Sequence, residues 1–313
     1  MDERDDTGAG VSRRDFLKAA VSAGAFALVA GAVPGVVWAG NRPRLDLAKL
    51  GDLVNPYDVA FGPGGEVLVA NAGRYGVIRL AGAERTYIGL GAGTAPGKLN
   101  FPMGVDVGPD GLIYVADTNN GRVQIFAPGG GPVREFGRPG YLDGEFLRPK
   151  SVCLYRSGVL VADTRNHRVQ YLDLAGERVG SRAPVTRAIL GGLGDGPGDL
   201  KLPRYVTCDA DGLVYVADAG HALVKVYTPE GKLVRTAGAA KLTEPHGLAL
   251  AADGRLFVAD AGAGKVFVFR KDGTAAGTAR GLNGLKKPRG LAWFDGVLAV
   301  ADPAAARVFV TES

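Results

Sequence analysis

Cysteine, histidine and methionine are scarce in this chain of 313 residues, which carries two Cys, three His and two Met. Two cysteines exclude a disulfide scaffold and a cysteine-rich zinc site. Three histidines leave little raw material for a metal enzyme, and no metal or other cofactor is expected. No helical apolar period runs through the chain after its first forty residues, and no Gly-X-Y period marks a collagen. Charge of one sign is not in excess either. Against 32 acidic residues stand 37 Lys and Arg, a formal net charge of +5, too small by itself to announce a nucleic-acid binder. What is abundant is glycine, at 49 residues, beside a hydrophobic content of 46%, ample for a packed core and incompatible with a disordered chain. The balance is that of an all-β chain punctuated by turns.

The first forty residues read as an address. Ser12-Arg-Arg-Asp-Phe-Leu-Lys18 precedes an Ala- and Gly-rich apolar stretch that runs to about Trp38 and ends Val37-Trp38-Ala39-Gly40. The paired Arg13-Arg14, the following Phe16-Leu17 and the weakly hydrophobic stretch resemble a twin-arginine export signal. That resemblance implies a signal peptide over 1–39, a single domain over 40–313, and a periplasmic or extracellular location. A membrane anchor is the alternative if the segment is retained, though Gly24, Gly31, Pro34 and Gly35 make it a poor permanent helix.

The remainder is one unit written six times. Each copy opens at a proline, at Pro56, Pro102, Pro149, Pro203, Pro245 and Pro288, with spacings of 46, 47, 54, 42 and 43. Fourteen or fifteen residues on stands Asn71, Asp117, Asp163, Asp218, Asp260 or Asp302, the five aspartates each ending a Val-Ala-Asp tripeptide. A further six residues bring Val77, Val123, Val169, Val224, Val266 or Val308. Within a unit, Leu112-Ile-Tyr-Val-Ala116 is a near-continuous apolar run, as in a strand covered on both faces, and Arg122-Val-Gln-Ile-Phe126 alternates. Four antiparallel strands per unit of about 45 residues describe a β-propeller blade.

Two segments carry a family resemblance. Ala162-Asp-Thr-Arg-Asn-His-Arg-Val169 and the glycine ladder Gly137, Gly140, Gly144, Phe146, Pro149 are similar to the NHL repeat, and the ladder recurs at Gly93-Gly97-Pro102 and Gly194-Gly198-Pro203. The resemblance implies a single six-bladed β-propeller. It implies no single activity, since the family includes protein- and RNA-binding scaffolds and a few lyases. The last unit supplies only three strands, so Arg44–Leu50 is expected to pair as its outermost strand and close the ring.

The recurrent Asp reads as structural, accepting backbone N–H groups in its turn or pairing with the cation five positions later at Arg122, Arg168, Lys265 or Arg307. Cys153 and Cys208 stand four and five residues past their blade prolines, so strand alternation sends them to opposite faces, as separate buried free thiols. His167, His221 and His246 share no repeat position. The sharpest signal is the residue after each blade proline: Tyr57, Met103, Lys150, Arg204, His246 and Arg289. By resemblance to other propellers this position rims the central channel. Three fixed cations and a histidine then face an apolar arc of Tyr57 and Met103. Arg148 and Arg165 belong to the same face, Asp58, Asp106 and Glu244 could neutralise part of the charge, and His246 beside cations should be neutral at pH 7.

Two function classes follow. One is an exported, monomeric, non-catalytic propeller that holds a protein, an acidic peptide, or an anionic small molecule or glycan at the cationic mouth. The other is an enzyme at the same mouth, resembling the metal-dependent lyases or the lactonases of six-bladed type. Binding is preferred, because only His246 stands where the lyases gather several histidines, and nearby cations oppose a divalent ion. Replacing Arg13 and Arg14 with lysine is expected to leave full-length precursor in the cytoplasm on cell fractionation. Normal export of that double variant would show the address misread.

Overall fold

The computed structural model describes residues 50–174 and 185–313. The export segment read at 1–39 lies outside the described residues, as does all of the ring-closing strand read at 44–50 except Leu50. No described helix is long and apolar enough to cross a membrane.

Each apolar run and its flanking turns give a strand, and the strands gather in six antiparallel sheets. The first holds β1 (Pro56–Phe61), β2 (Val67–Asn71), β3 (Gly76–Ala81) and β4 (Glu84–Ile88), paired in that order. The second holds β5 (Gly104–Val107), β6 (Ile113–Asp117), β7 (Arg122–Phe126) and β8 (Pro132–Phe136). The third holds β9 (Pro149–Tyr155), β10 (Gly158–Asp163), β11 (Arg168–Asp173) and β12 (Val185–Gly191). The fourth holds β13 (Pro203–Cys208), β14 (Val214–Asp218), β15 (Leu223–Tyr227) and β16 (Leu233–Ala237). The fifth holds β17 (Pro245–Leu250), β18 (Leu256–Asp260), β19 (Lys265–Phe269) and β20 (Ala275–Thr278). The sixth has three strands among the described residues, β21 (Gly290–Phe294), β22 (Val297–Asp302) and β23 (Arg307–Glu312).

First strands of neighbouring sheets touch all the way round, β1 to β5, β9, β13, β17, β21 and back to β1, so the sheets are the blades of a closed six-bladed β-propeller. The Val-Ala-Asp strands are buried along their length because each faces a neighbouring blade on both sides. In the third blade Val159 and Val161 pack toward the second blade, while Leu160 and Ala162 pack toward the fourth. Leu50 lies buried between Ile78 and Leu80 of the first blade and Ala299, Ala301 and Val308 of the last, where the ring closes. Glycine permits the tight inner ring. A Cβ on Gly247 would stand 2.2 Å from the Arg289 carbonyl, and one on Gly290 2.4 Å from the Asp58 Cα.

The recurrent Asp does one thing in every blade. Its side chain accepts the backbone N–H of the residue two before the blade proline: Asn100 to Asp117, Leu147 to Asp163, Lys201 to Asp218, Thr243 to Asp260 and Lys286 to Asp302, at 2.6–2.8 Å. Asn71 does the same for Val54 at 2.7 Å. All six side chains are buried. The cation expected five positions later pairs with it in two blades, Arg122 at 2.8 Å and Arg168 at 2.9 Å. Lys265 and Arg307 are exposed instead. In those blades the turn N–H groups of Gly262 and Ala263, or of Ala304 and Ala305, satisfy the carboxylate and leave no call for a cation. The fourth blade substitutes Lys225, seven positions on, at 3.2 Å, and His221 at 2.7 Å. His167 is likewise structural, its Nδ1 accepting the Leu202 N–H at 3.2 Å.

Asp260→Ala strands four N–H groups in part-buried bonds, on Thr243, Glu244, Gly262 and Ala263, and the Thr243 hydroxyl. Urea denaturation is expected to show a loss of about 3 kcal/mol or more. A loss below ~1 kcal/mol would show that water replaces the carboxylate.

Candidate functional site

Fixing the residue two before each blade proline fixes the residue after it. These six residues stand at the end of the tunnel where the inner strands begin, and the structure brings most of them together. The Arg289 guanidinium donates to the Tyr57 hydroxyl at 2.9 Å and stands 2.7 Å from His246 Nε2. It also stacks over the Tyr57 ring, its carbon 5.0 Å from the centroid, with Lys150 Nζ at 5.9 Å from the same centroid. His246 meets Tyr57 edge to face at 6.3 Å, and its Nε2 lies 3.1 Å from Glu244 Oε1. A proton on Nδ1 leaves Nε2 free to accept from Arg289, whereas a proton on Nε2 turns it to Glu244. Arg204 reaches Glu244 at 3.9 Å.

Tyr57 therefore does not form an apolar arc facing the cations. It lies among them, as a π-face for two and a hydrogen-bond acceptor for one. Met103 is buried at the equivalent position, between Tyr57 and Lys150 in blade order. Of the three carboxylates expected near the mouth, only Glu244 reaches it. Asp58 is buried deeper, accepting from Val59, Val105 and Tyr205, and Asp106 accepts from Val107 and Leu154. Their distance from the mouth follows from register. Asp58 is one residue, and Asp106 three, further along the inner strand than the mouth position.

Beside Arg204 opens a cavity of about 290 Å³ lined by Arg148, Lys150, Thr164, Arg165, Leu202 and Arg204, four cations and no carboxylate. Lys150 is 8% exposed, and Arg204 buries its Nε without a hydrogen-bond partner among the described residues. Burial, reinforced by Arg204, Arg289 and Arg148, lowers the Lys150 ammonium to about 7. Burial also depresses His246, to about 3, with Arg289 and Arg204 adding to it and Glu244 opposing. The ring is neutral at pH 7 as expected, but burial is the larger cause, ahead of the cations. The hydrogen bond from His246 brings Glu244 down to about 2, so it stays ionised.

Below the mouth the tunnel is crossed by Tyr205. Its hydroxyl lies 3.2 Å from Asp58 Oδ1 and 3.4 Å from the Leu291 carbonyl. Sequence reading passed over this residue, although the signal was present. Two after the blade proline stand Asp58, Gly104, Ser151, Tyr205, Gly247 and Gly290, and only Tyr205 is bulky. Beyond it a second chamber of about 220 Å³ is walled by all six inner strands and includes Asp106, Cys153, Tyr205, Thr207 and Cys208.

The NHL repeat family matches residues 99–126 and 242–269, within the second and fifth blades. The chain carries NHL repeats. As an NHL propeller it is 30% identical over 155 residues to Protein brain tumor of Drosophila melanogaster, a match over 49% of this chain and 14% of that protein. It spans less than a fifth of the length of the curated relatives it matches. Among solved structures it resembles a streptogramin B lyase with TM-score 0.61, 14% identity and 83% of each chain covered. It also resembles a chain of a nidogen–laminin complex with TM-score 0.58 and 17% identity, over 76% of this chain and 86% of that one. At such identities the likeness is one of fold.

The divalent ion of a lyase or lactonase would need three or four converging ligands. Among the described residues no three His, Cys, Asp or Glu side chains form such a group. The NHL propeller's mouth offers His246 and Glu244, both held by arginines, so these residues do not fit the ion.

With ¹³C-labelled lysine, the Lys150 side-chain resonance is expected to titrate near pH 7, far below an ordinary lysine. A Lys150 midpoint above about 9.5 would show the ammonium to be solvated.

Proposed function

We propose that this propeller is a binding protein, exported from the cytoplasm, that takes the anionic group of its ligand into the cavity beside Arg204. The ligand is a protein or acidic peptide, or an anionic small molecule or glycan. The observation that carries the reading is the cavity lining of Arg148, Lys150, Arg165 and Arg204 with no carboxylate among them. The three guanidiniums in this recess repel one another and the Lys150 ammonium, and low-dielectric walls strengthen the repulsion. An entering carboxylate, sulfate or phosphate reverses that cost. Arg204 lines the cavity and offers its guanidinium to such a group. Arginine forks suit bidentate grip on such groups, and Lys150 acts as a point charge. The Tyr57–His246–Arg289 cluster, tied to Glu244, is the stiff wall beside the cavity.

The test is calorimetric titration of citrate, galacturonate, pyrophosphate and a poly-glutamate peptide against wild type and Arg204→Glu. Binding of at least one probe is expected. Charge reversal should weaken it by about 2 kcal/mol or more, and added salt should weaken it in wild type. The pH dependence has a definite sign. Lys150 gains its charge as pH falls through about 7, so affinity should rise between pH 9 and 6. His246 and Glu244 keep their charge states across that range, and the arginines stay protonated. Lys150→Met should flatten the profile. Failure of every probe, or equal binding by Arg204→Glu, would overturn the reading.

A further inference from the structure

The chamber behind Tyr205 holds a pair of groups that anion binding at the mouth does not use. Cys153 Sγ and Cys208 Sγ lie 3.7 Å apart, both free and both half-buried. Alternation along the strand places them on opposite faces of their own blades, as expected. The expectation that they stay apart fails because neighbouring blades stack face to face. Cys153 pairs across its sheet with Leu160 and Cys208 with Val214, and both of those pack in the core shared by the third and fourth blades. The side that one blade presents forward is met by the side that the next presents backward. Both thiols also reach toward one acceptor, the Leu154 carbonyl, at 3.4 Å each.

We infer that Cys153 and Cys208 form an inter-blade disulfide, a covalent staple between the inner strands β9 and β13. The inner strands β9 and β13 touch and the two sulfurs already stand 3.7 Å apart, so a change in side-chain torsion is what closure to the ~2.05 Å of a disulfide asks for. The bond closes a loop across 55 residues of chain, a length at which a cross-link removes much freedom from the unfolded state. The same two strands carry Lys150 and Arg204 as their second residues, so the staple also fixes the spacing of two basic residues of the cavity. The oxidant is a small disulfide admitted to the chamber. One cysteine thiolate attacks it, forming a mixed disulfide and releasing one small thiolate. The second cysteine thiolate attacks the protein sulfur of that adduct, closing the Cys153–Cys208 bond and releasing the other. Two electrons pass from the cysteines to the oxidant, and the two thiol protons end on the two released thiolates. The neighbouring Cys208 thiol, then burial, raises the Cys153 thiol well above its usual range, so closure is faster at alkaline pH.

The experiment treats the reduced full chain with 2-hydroxyethyl disulfide, denatures it, alkylates it and digests it with trypsin. The expected product is peptide 151–156 joined to peptide 205–225, with the whole chain about 2 Da lighter and unalkylated at both cysteines. The oxidised form should melt about 5 °C or more above the reduced form, and Cys208→Ser should melt alike under both conditions. Cysteines that remain open to alkylation, or that carry only the small-thiol adduct, would overturn the inference. So would a cross-linked chain that melts below the reduced one. Each readout is independent of anion binding at the mouth.

Discussion

Everything at the tunnel mouth depends on one hydrogen bond repeated six times. A buried Asp, or Asn71 in the first blade, accepts the N–H two residues before the blade proline. That bond ties the end of the second strand to the start of the first and so sets where the inner strand begins. A side chain in a water-poor turn cannot be left without partners, and each carboxylate finds several. The partners vary between blades: arginine, lysine with histidine, or turn N–H groups without a cation. The anchoring bond does not vary. This is why a position defined only by sequence spacing is also a position in space.

The mouth built on this frame divides unevenly. On one side Tyr57, His246, Arg289 and Glu244 cluster, with His246 Nε2 turned either to Arg289 or to Glu244 according to its tautomer. On the other, Arg148, Lys150, Arg165 and Arg204 line a recess with no carboxylate, and burial, reinforced by the neighbouring arginines, already depresses Lys150. A protein retains such a recess at some expense in stability, since like charges crowd there and a buried guanidinium nitrogen goes unpaired. Pockets of this kind mark functional surface more often than neutral stretches do. The mouth is also a closed end, because Tyr205 reaches across to Asp58 beneath it. The cationic recess and the rear chamber therefore lie on opposite sides of Tyr205.

Repetition made the architecture legible in the chain. Six prolines, six Asp or Asn positions and six valines at fixed offsets determine six blades, their strand order and the shared register of Tyr57, Met103, Lys150, Arg204, His246 and Arg289. Periodicity of two along a strand also gave the facing of Cys153 and Cys208 within each sheet. Tertiary structure alone decided who meets whom. Blade stacking turned two thiols on opposite faces into neighbours, and convergence on the axis placed Tyr57 under the cations. Register depth removed Asp58 and Asp106 from the mouth, and Ala- and Gly-rich turns made the cations at Lys265 and Arg307 unnecessary. The physical reason is common to all of these. Local sequence sets the direction of a side chain relative to its own strand, whereas partners are set by the angle and distance between blades, which arise only when the ring closes.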